Sequence, residues 1–336
     1  MPKAGSNEAM PKAGRKEQDV TLTLTSTLTD RTRPIHEGRV KVEGFELRCT
    51  ADEPETMFRA AMRDAPFDIT ELSMSSHMLS VARGDSRYVA IPVFPSRAFR
   101  HNAIYVRADR GIERPEDLAG RIIGTPEYQQ TAGLWVRGIL REHHGVDTRA
   151  IGWRSGGERT PITLPPGMDF QVIAEGESLD AMLADGRLDA FIGPRPPAPF
   201  LAGDGSVRRL FADVRAAEEA YHEATGFFPI MHCIAIRRDV AEAHPALPAA
   251  LTRAFMQAKR QALAELAMGN VLRVSLPWIV AEVERQTRRM GGDPWPYGFA
   301  RNRAELAAMC RFAAADGLAV RDLAPGELFH PATLEI

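Results

Sequence analysis

The sequence predicts an α/β fold of two lobes, each a mainly parallel sheet flanked by helices, with a helical C-terminal region. Three observations carry this. The 336 residues exceed the roughly 250–300 that a single core serves. Strand and helix signals alternate, which favours parallel-dominated sheets over segregated strands and helices. A short apolar strand also runs straight into a polar helix start twice, at Phe67 to Ser76 and at Arg121 to Thr131. Strand ends that feed helix starts are ligand-binding addresses in open α/β sheets, and two of them suggest two facing lobes.

The elements follow in order. Thr21 to Thr29 alternates Thr and Leu, the period of a strand with one buried face, until Asp30 to Pro34 breaks it. Val40 to Cys49 reads as a second strand, and Pro54 to Arg63 places Met57, Phe58, Ala61 and Met62 at helical spacing. Phe67 to Thr70 is a strand leading into a helix that reaches Arg83, with hydroxyls at Ser73, Ser75 and Ser76 able to cap it. Arg121 to Gly124 is a strand before an amphipathic helix, Ala132 to His143. A helix at Asp180 to Leu183 stops at Gly186, and the strand Leu188 to Ile192 ends in the loop Gly193-Pro194-Arg195-Pro196-Pro197. Ile230 to Ile236 is apolar enough for a buried strand, and Val240 to Asn270 reads as helices parted by a turn at Pro245 to Pro248. We divide the chain into a disordered leader at 1–20, where Met-Pro-Lys-Ala-Gly occurs twice, a first lobe at 21–104 and 231–336, and a second at 105–230.

Composition narrows the function. With 42 basic and 44 acidic residues the chain has no polyanion-binding signature, so nucleic acid is not an expected partner. Three widely spaced cysteines, Cys49, Cys233 and Cys310, argue against a disulfide framework and fit a reducing compartment. The polar start lacks the apolar run of a secretory signal, and no stretch reaches the ~18 apolar residues of a membrane span. A cytoplasmic protein with no membrane partner is the expectation. Long amphipathic C-terminal helices suggest a homo-oligomer. No P-loop, Gly-x-Ser-x-Gly or Gly-x-Gly-x-x-Gly pattern occurs, and the adjacent His143 and His144 diverge by about 100° on a helix, so no metal and no cofactor are expected.

Two sets of motifs carry a resemblance. Pro115 to Gly124, with its Asp-Leu-Ala-Gly-Arg turn, and Leu179 to Leu183 followed by Gly186 to Ala190 resemble the second lobe of type II periplasmic-binding proteins. More narrowly, Phe67 to Ser73, Ala90 to His101 and Gly124 to Ala132 are similar to the 4,5-dihydroxyphthalate decarboxylase family. Trp135 to Leu140, Trp153 with Gly156-Gly157, Phe228 to His232 and Pro294 to Gly298 with Asn302-Arg303 add support, so the likeness spans roughly 21–330. It implies non-oxidative decarboxylation of a hydroxylated aromatic diacid, 4,5-dihydroxyphthalate, to protocatechuate and CO2. A small-molecule aromatic carboxylate is thus the implied partner. A solute-binding protein without catalysis is the alternative, since this fold mostly serves solute capture.

For a diacid, Arg97 and Arg100 are candidate bidentate carboxylate ligands. They lie on one side only if the segment turns; in an extended segment, residues an odd number apart diverge. The bland alternative is two surface arginines at a crossover. His101 and His232 are the candidate proton donors, because an imidazole gains and releases a proton near neutrality. Glu71 is a candidate to orient a histidine or to act as the acid itself, and otherwise an ordinary carboxylate at a helix start. Ser75, Ser76 and Thr131 offer hydroxyls to a carboxylate or plain helix caps. Tyr128 and Gln129 are candidates to close over the ring, and Arg195 is a further cationic contact.

Overall fold

A computed structural model describes residues 20–336, so the expected leader falls outside the described residues apart from Val20. The chain runs β1 (Val20–Ser26), α1 (Arg33–His36), β2 (Phe45–Ala51), α2 (Pro54–Asp64), β3 (Ile69–Ser73), α3 (Met74–Arg83), β4 (Tyr88–Ile91), β5 (Ile104–Arg107), β6 (Ile122–Thr125), α4 (Thr131–His144), β7 (Gly152–Ser155), β8 (Phe170–Val172), α5 (Leu179–Asp185), β9 (Ala190–Ile192), α6 (Ala198–Ala202) and β10 (Val207–Arg209). It continues with α7 (Val214–Thr225), β11 (His232–Arg237), α8 (Arg238–Ala243), α9 (Leu247–Leu266), α10 (Ile279–Met290) and α11 (Phe299–Ala315).

Two sheets form, in the orders β2-β1-β3-β11-β4 and β10-β5-β9-β6-β7-β8. The chain passes from the first to the second between β4 and β5 and returns between β10 and β11. Both sheets are mixed. β1 runs parallel to β2 and β3, and β6 parallel to β7 and β9, but β11 is antiparallel to both its neighbours, as is β5. These two strands are the ones that arrive from the other sheet. No local β-α-β crossover fixes their direction.

The first strand starts where the Thr-Leu alternation starts, with Leu22 and Leu24 on the buried face. β2 begins later than Val40, because Val40 and Val42 are buried in the preceding turn and Gly44, at φ +80°, redirects the chain. All five residues of β3 are buried, including Glu71 and Ser73. A carboxylate in the centre of a sheet must be paired or strongly hydrogen-bonded.

One core runs through both lobes, joining Ile69 and Met78 of the first to Ile123 and Trp135 of the second. The C-terminal helices are divided between the lobes. α9 packs against α1, whereas α11 packs against α4, where a Cβ at Gly138 would run into the Phe312 ring. Beside it the buried Arg137 on α4 pairs with Asp316 at 2.6 Å, and its guanidinium stacks 3.8 Å from the Tyr128 ring centre. Trp135 donates to the Ile230 carbonyl at 2.8 Å, so α4 is also tied to the segment returning to the first sheet.

Candidate functional site

A cavity of about 290 Å³ lies between the lobes. Phe58 of α2, Ser73 at the end of β3, Arg100 on the crossing segment, and Met231 and His232 at the start of β11 form one side; Glu127, Gln130, Thr131, Arg159 and Arg195 form the other.

His232 stands opposite Ser73 in the antiparallel β11–β3 pair, two residues along from Glu71, whose own partner is Ile234. That register brings its Nδ1 to 2.6 Å from Glu71 Oε1. The other carboxylate oxygen accepts the Thr27 backbone N–H at 2.8 Å and the Thr27 hydroxyl at 2.6 Å. Burial would raise the Glu71 pKa, but the hydrogen bond and charge of His232 and the two Thr27 donors outweigh it and hold the carboxyl below its ordinary value. Glu71 is therefore an anion, and the imidazole donates Nδ1–H to it. Phe58 meets the imidazole edge-on, ring centres 4.8 Å apart. With Nδ1 held, Nε2 is the nitrogen left for a ligand in the cavity.

The rest of the cavity carries three arginines, two of them paired with carboxylates. Arg100 donates Nε–H to Met231 Sδ at 3.1 Å and meets no carboxylate within 4.0 Å among the described residues. Burial lowers its pKa to about 10, which leaves it charged at neutral pH. Arg159 is only 6% exposed and pairs with Glu127 at 3.0 Å. Arg195 is 70% exposed and reaches Glu55 of α2, 3.7 Å away, across the mouth. The N–H groups of Thr131, Ala132 and Gly133 precede the first bond of α4, from Leu134 N–H to the Gln130 carbonyl, so this helix start offers free donors and positive dipole to an anion.

The loop before α4 is held rigidly. Glu158, its pKa raised by burial, accepts the N–H of Tyr128 at 2.6 Å and of Gln129 at 3.3 Å. Ser75 donates to the Gln129 carbonyl and Ser76 to Gln129 Oε1, the latter at 2.9 Å. Thr131 Oγ1 accepts the Ser75 N–H at 3.1 Å and bonds the Ser73 hydroxyl at 2.9 Å. The start of α3 is thus capped from the facing lobe rather than by its own serines.

Of the residues singled out in the sequence, the structure brings His232, Arg100, Thr131 and Arg195 to the cavity, with Glu71 directly behind His232. It does not bring Arg97 there. Arg97 is held in an antiparallel bridge with Ile230 rather than in a helical turn, and the two guanidinia diverge. Arg97 turns inward to Glu305 at 3.0 Å, the Pro296 carbonyl at 2.9 Å and Asn302. His101 also points away, its ring 5.2 Å from Phe211 and 5.3 Å from Tyr221, and burial together with His144 and His143 pushes its pKa down to about 4. Ser75, Ser76, Tyr128 and Gln129 are buried beneath the wall they support. Sequence reasoning missed Thr27, Phe58 and Arg159. Only Phe58 left a usable signal, as an apolar position on α2.

The two-lobed α/β architecture is a periplasmic-binding-protein-like fold, with an arginine, a helix start and a carboxylate-backed histidine gathered at the cavity between its lobes. Solved structures agree on the fold. The alkanesulfonate-binding protein of Xanthomonas axonopodis pv. citri, bound to MOPS, superposes with a TM-score of 0.53 at 14% identity, covering 93% of this chain and 99% of that one. The periplasmic aliphatic sulphonate binding protein of Escherichia coli gives 0.53 at 14% identity, covering 95% and 100%. In sequence, the chain is 44% identical over 313 residues to a 4,5-dihydroxyphthalate decarboxylase of Comamonas testosteroni, covering 91% of this chain and 95% of that protein. A protein of the same name from Pseudomonas putida is 43% identical over 204 residues, 59% of this chain and 79% of its own length. No family model matches. The chain belongs to the 4,5-dihydroxyphthalate decarboxylase family.

Proposed function

We propose that this protein is a carboxy-lyase that converts 4,5-dihydroxyphthalate to protocatechuate and CO2 in the interlobe cavity, by protonating the ring carbon that loses its carboxylate. The observation that carries the chemistry is the Glu71–His232 pair opening on the same cavity as the unneutralised Arg100. The two carboxylates of the substrate are equivalent by symmetry, so the site must distinguish them. Arg100 and the α4 N–H groups hold one as an ion pair with hydrogen bonds. The other then lies toward Phe58 and His232.

His232, hydrogen-bonded to Glu71 through Nδ1, delivers its Nε2 proton to the ring carbon bearing that second carboxylate. The hydroxyl para to it feeds electron density into the ring and spreads the developing positive charge. The carbon–carboxylate bond then breaks, its electron pair restores aromaticity, and CO2 leaves. One proton is consumed per turnover, and solvent returns it to His232. In the test, purified protein is incubated with 4,5-dihydroxyphthalate while protocatechuate and CO2 are measured. Stoichiometric release of both is expected. Saturable binding without turnover would instead make the chain a solute-binding protein.

The same reading places the protein in the cytoplasm as a homo-oligomer. Cys49, Cys233 and Cys310 are all free, which suits a reducing compartment, and no helix of the described residues is long and apolar enough to cross a membrane. Met268, Val271, Leu272, Leu276 and the 79% exposed Trp278 crowd one surface stretch, which a second copy would cover. Light scattering should give a multiple of 37.0 kDa; a mass of one chain would refute the oligomer.

A further inference from the structure

A second cavity, of about 710 Å³, opens on another face of α2, with α3, the start of β4 and the loop at 159–163 as its other walls. Arg59, Arg63, Arg83, Arg87 and Arg159 line it against a single carboxylate, Asp85. Arg59 and Arg63 stand one turn apart on α2, a spacing at which like charges repel. Arg63 pairs with Asp64 at 2.6 Å and Arg83 with Asp85 at 3.1 Å. Arg87 reaches only the Arg63 carbonyl, at 2.9 Å, and among the described residues neither it nor Arg59 meets a carboxylate within 4.0 Å.

Arg159 joins the two cavities. Its side chain is 94% buried, with Nη2 on Glu127, and it lines both spaces.

We infer that this cavity is a second anion site, separate from the decarboxylation cleft, which takes a small multivalent oxyanion bearing phosphate or several carboxylates. Guanidinium forks from three elements surround the space, as bidentate recognition of such groups requires. Because Arg159 also lines the cleft, an anion that draws its guanidinium away from Glu127 alters the wall on which the aromatic acid rests. The coupling is reciprocal, so each ligand changes the affinity of the other by the same factor.

The test is calorimetric titration of the full chain, at fixed ionic strength and without aromatic acids, with inorganic phosphate and separately with citrate. At least one anion should saturate in the wild type. Arg59→Gln combined with Arg87→Gln should weaken it at least tenfold, and Arg59→Gln alone, whose side chain has no hydrogen-bond or ion-pair partner among the described residues, at least threefold. Arg100→Ala should leave it within twofold. The site is refuted if neither anion saturates, if binding survives the double substitution, or if Arg100→Ala abolishes it. None of these results depends on whether the chain decarboxylates anything.

Discussion

Glu71→Gln should lower kcat by roughly 10²–10⁴, the range for losing a positioned proton-transfer group, while leaving KM little changed and the fold intact. Glutamine has nearly the shape of glutamate, but one of its two ends is a donor. The Thr27 backbone N–H cannot turn around, so the amide oxygen must face it. The NH2 then faces His232 Nδ1, which can only accept, and the ring is left neutral with its one proton on Nε2. A neutral imidazole is a poor acid for a ring carbon. Removing the carboxylate also removes the charge that stabilises the imidazolium, as in other histidine–carboxylate pairs. Stability should fall by only about 1–3 kcal/mol, because neutral hydrogen bonds replace charged ones.

The pH dependence of stability tests the ionised pair itself, apart from turnover. The Glu71 pKa in the folded protein lies below its ordinary value of 4.5. Its pairing therefore contributes stability that is present above pH 4.5 and is lost as the pH falls through the lowered value. Urea melts between pH 6 and pH 3 should show that loss in the wild type and a shallower slope in Glu71→Gln. Equal slopes with unchanged kcat would remove Glu71 from the mechanism.

Arg97→Ala and Arg100→Ala, three residues apart, should fail in opposite ways. Arg97 is wholly enclosed and neutralises Glu305, which also accepts the Ile230 N–H at 2.7 Å. Burial raises the Glu305 pKa and lowers that of Arg97, so each charge persists only because of the other. Removing Arg97 strands a buried carboxylate and should cost about 3–5 kcal/mol of stability, read by urea melts. Arg100 has no carboxylate within 4.0 Å among the described residues. Arg100→Ala should keep the melting temperature within a few degrees and lower kcat/KM at least 100-fold, the order expected for a charged hydrogen bond to substrate plus its orientation. If Arg97→Ala were stable but unable to bind substrate, the inward direction of its side chain would be refuted.

These two arginines show where the sequence stops being sufficient. Alternating Thr and Leu in β1 and the apolar stripe of α2 are local patterns, and each is set by residues a few positions away. The direction of Arg97 is not local. It depends on Ser96, whose carbonyl takes the N–H groups of Met231 and His232 at 2.9 and 3.2 Å and so holds the segment against the start of β11. Residues more than 130 positions away decide which arginine faces the cleft.

Glu71 was readable as a carboxylate at a strand-to-helix junction and a candidate to orient a histidine, although it lies inside β3. Its partners were not, because Thr27 and His232 reach it only through the lateral order β1-β3-β11, and β11 returns after the whole second lobe. Arg159 was invisible for a different reason. It lies on an irregular loop without periodicity, and its ion pair with Glu127 depends on the β6–β7 pairing that brings the two loops together.

The proposed reaction protonates the ring carbon as its carboxylate leaves, within the cleft that holds His232. The most direct measurement is turnover of 4,5-dihydroxyphthalate in D2O, with the protocatechuate read by proton NMR and mass spectrometry. The expected product carries one deuterium, at the vacated ring carbon beside the remaining carboxylate, and His232→Ala with an unchanged melting temperature forms it at least 100-fold more slowly. Product free of deuterium at that carbon, or full-rate turnover by His232→Ala, would contradict the account.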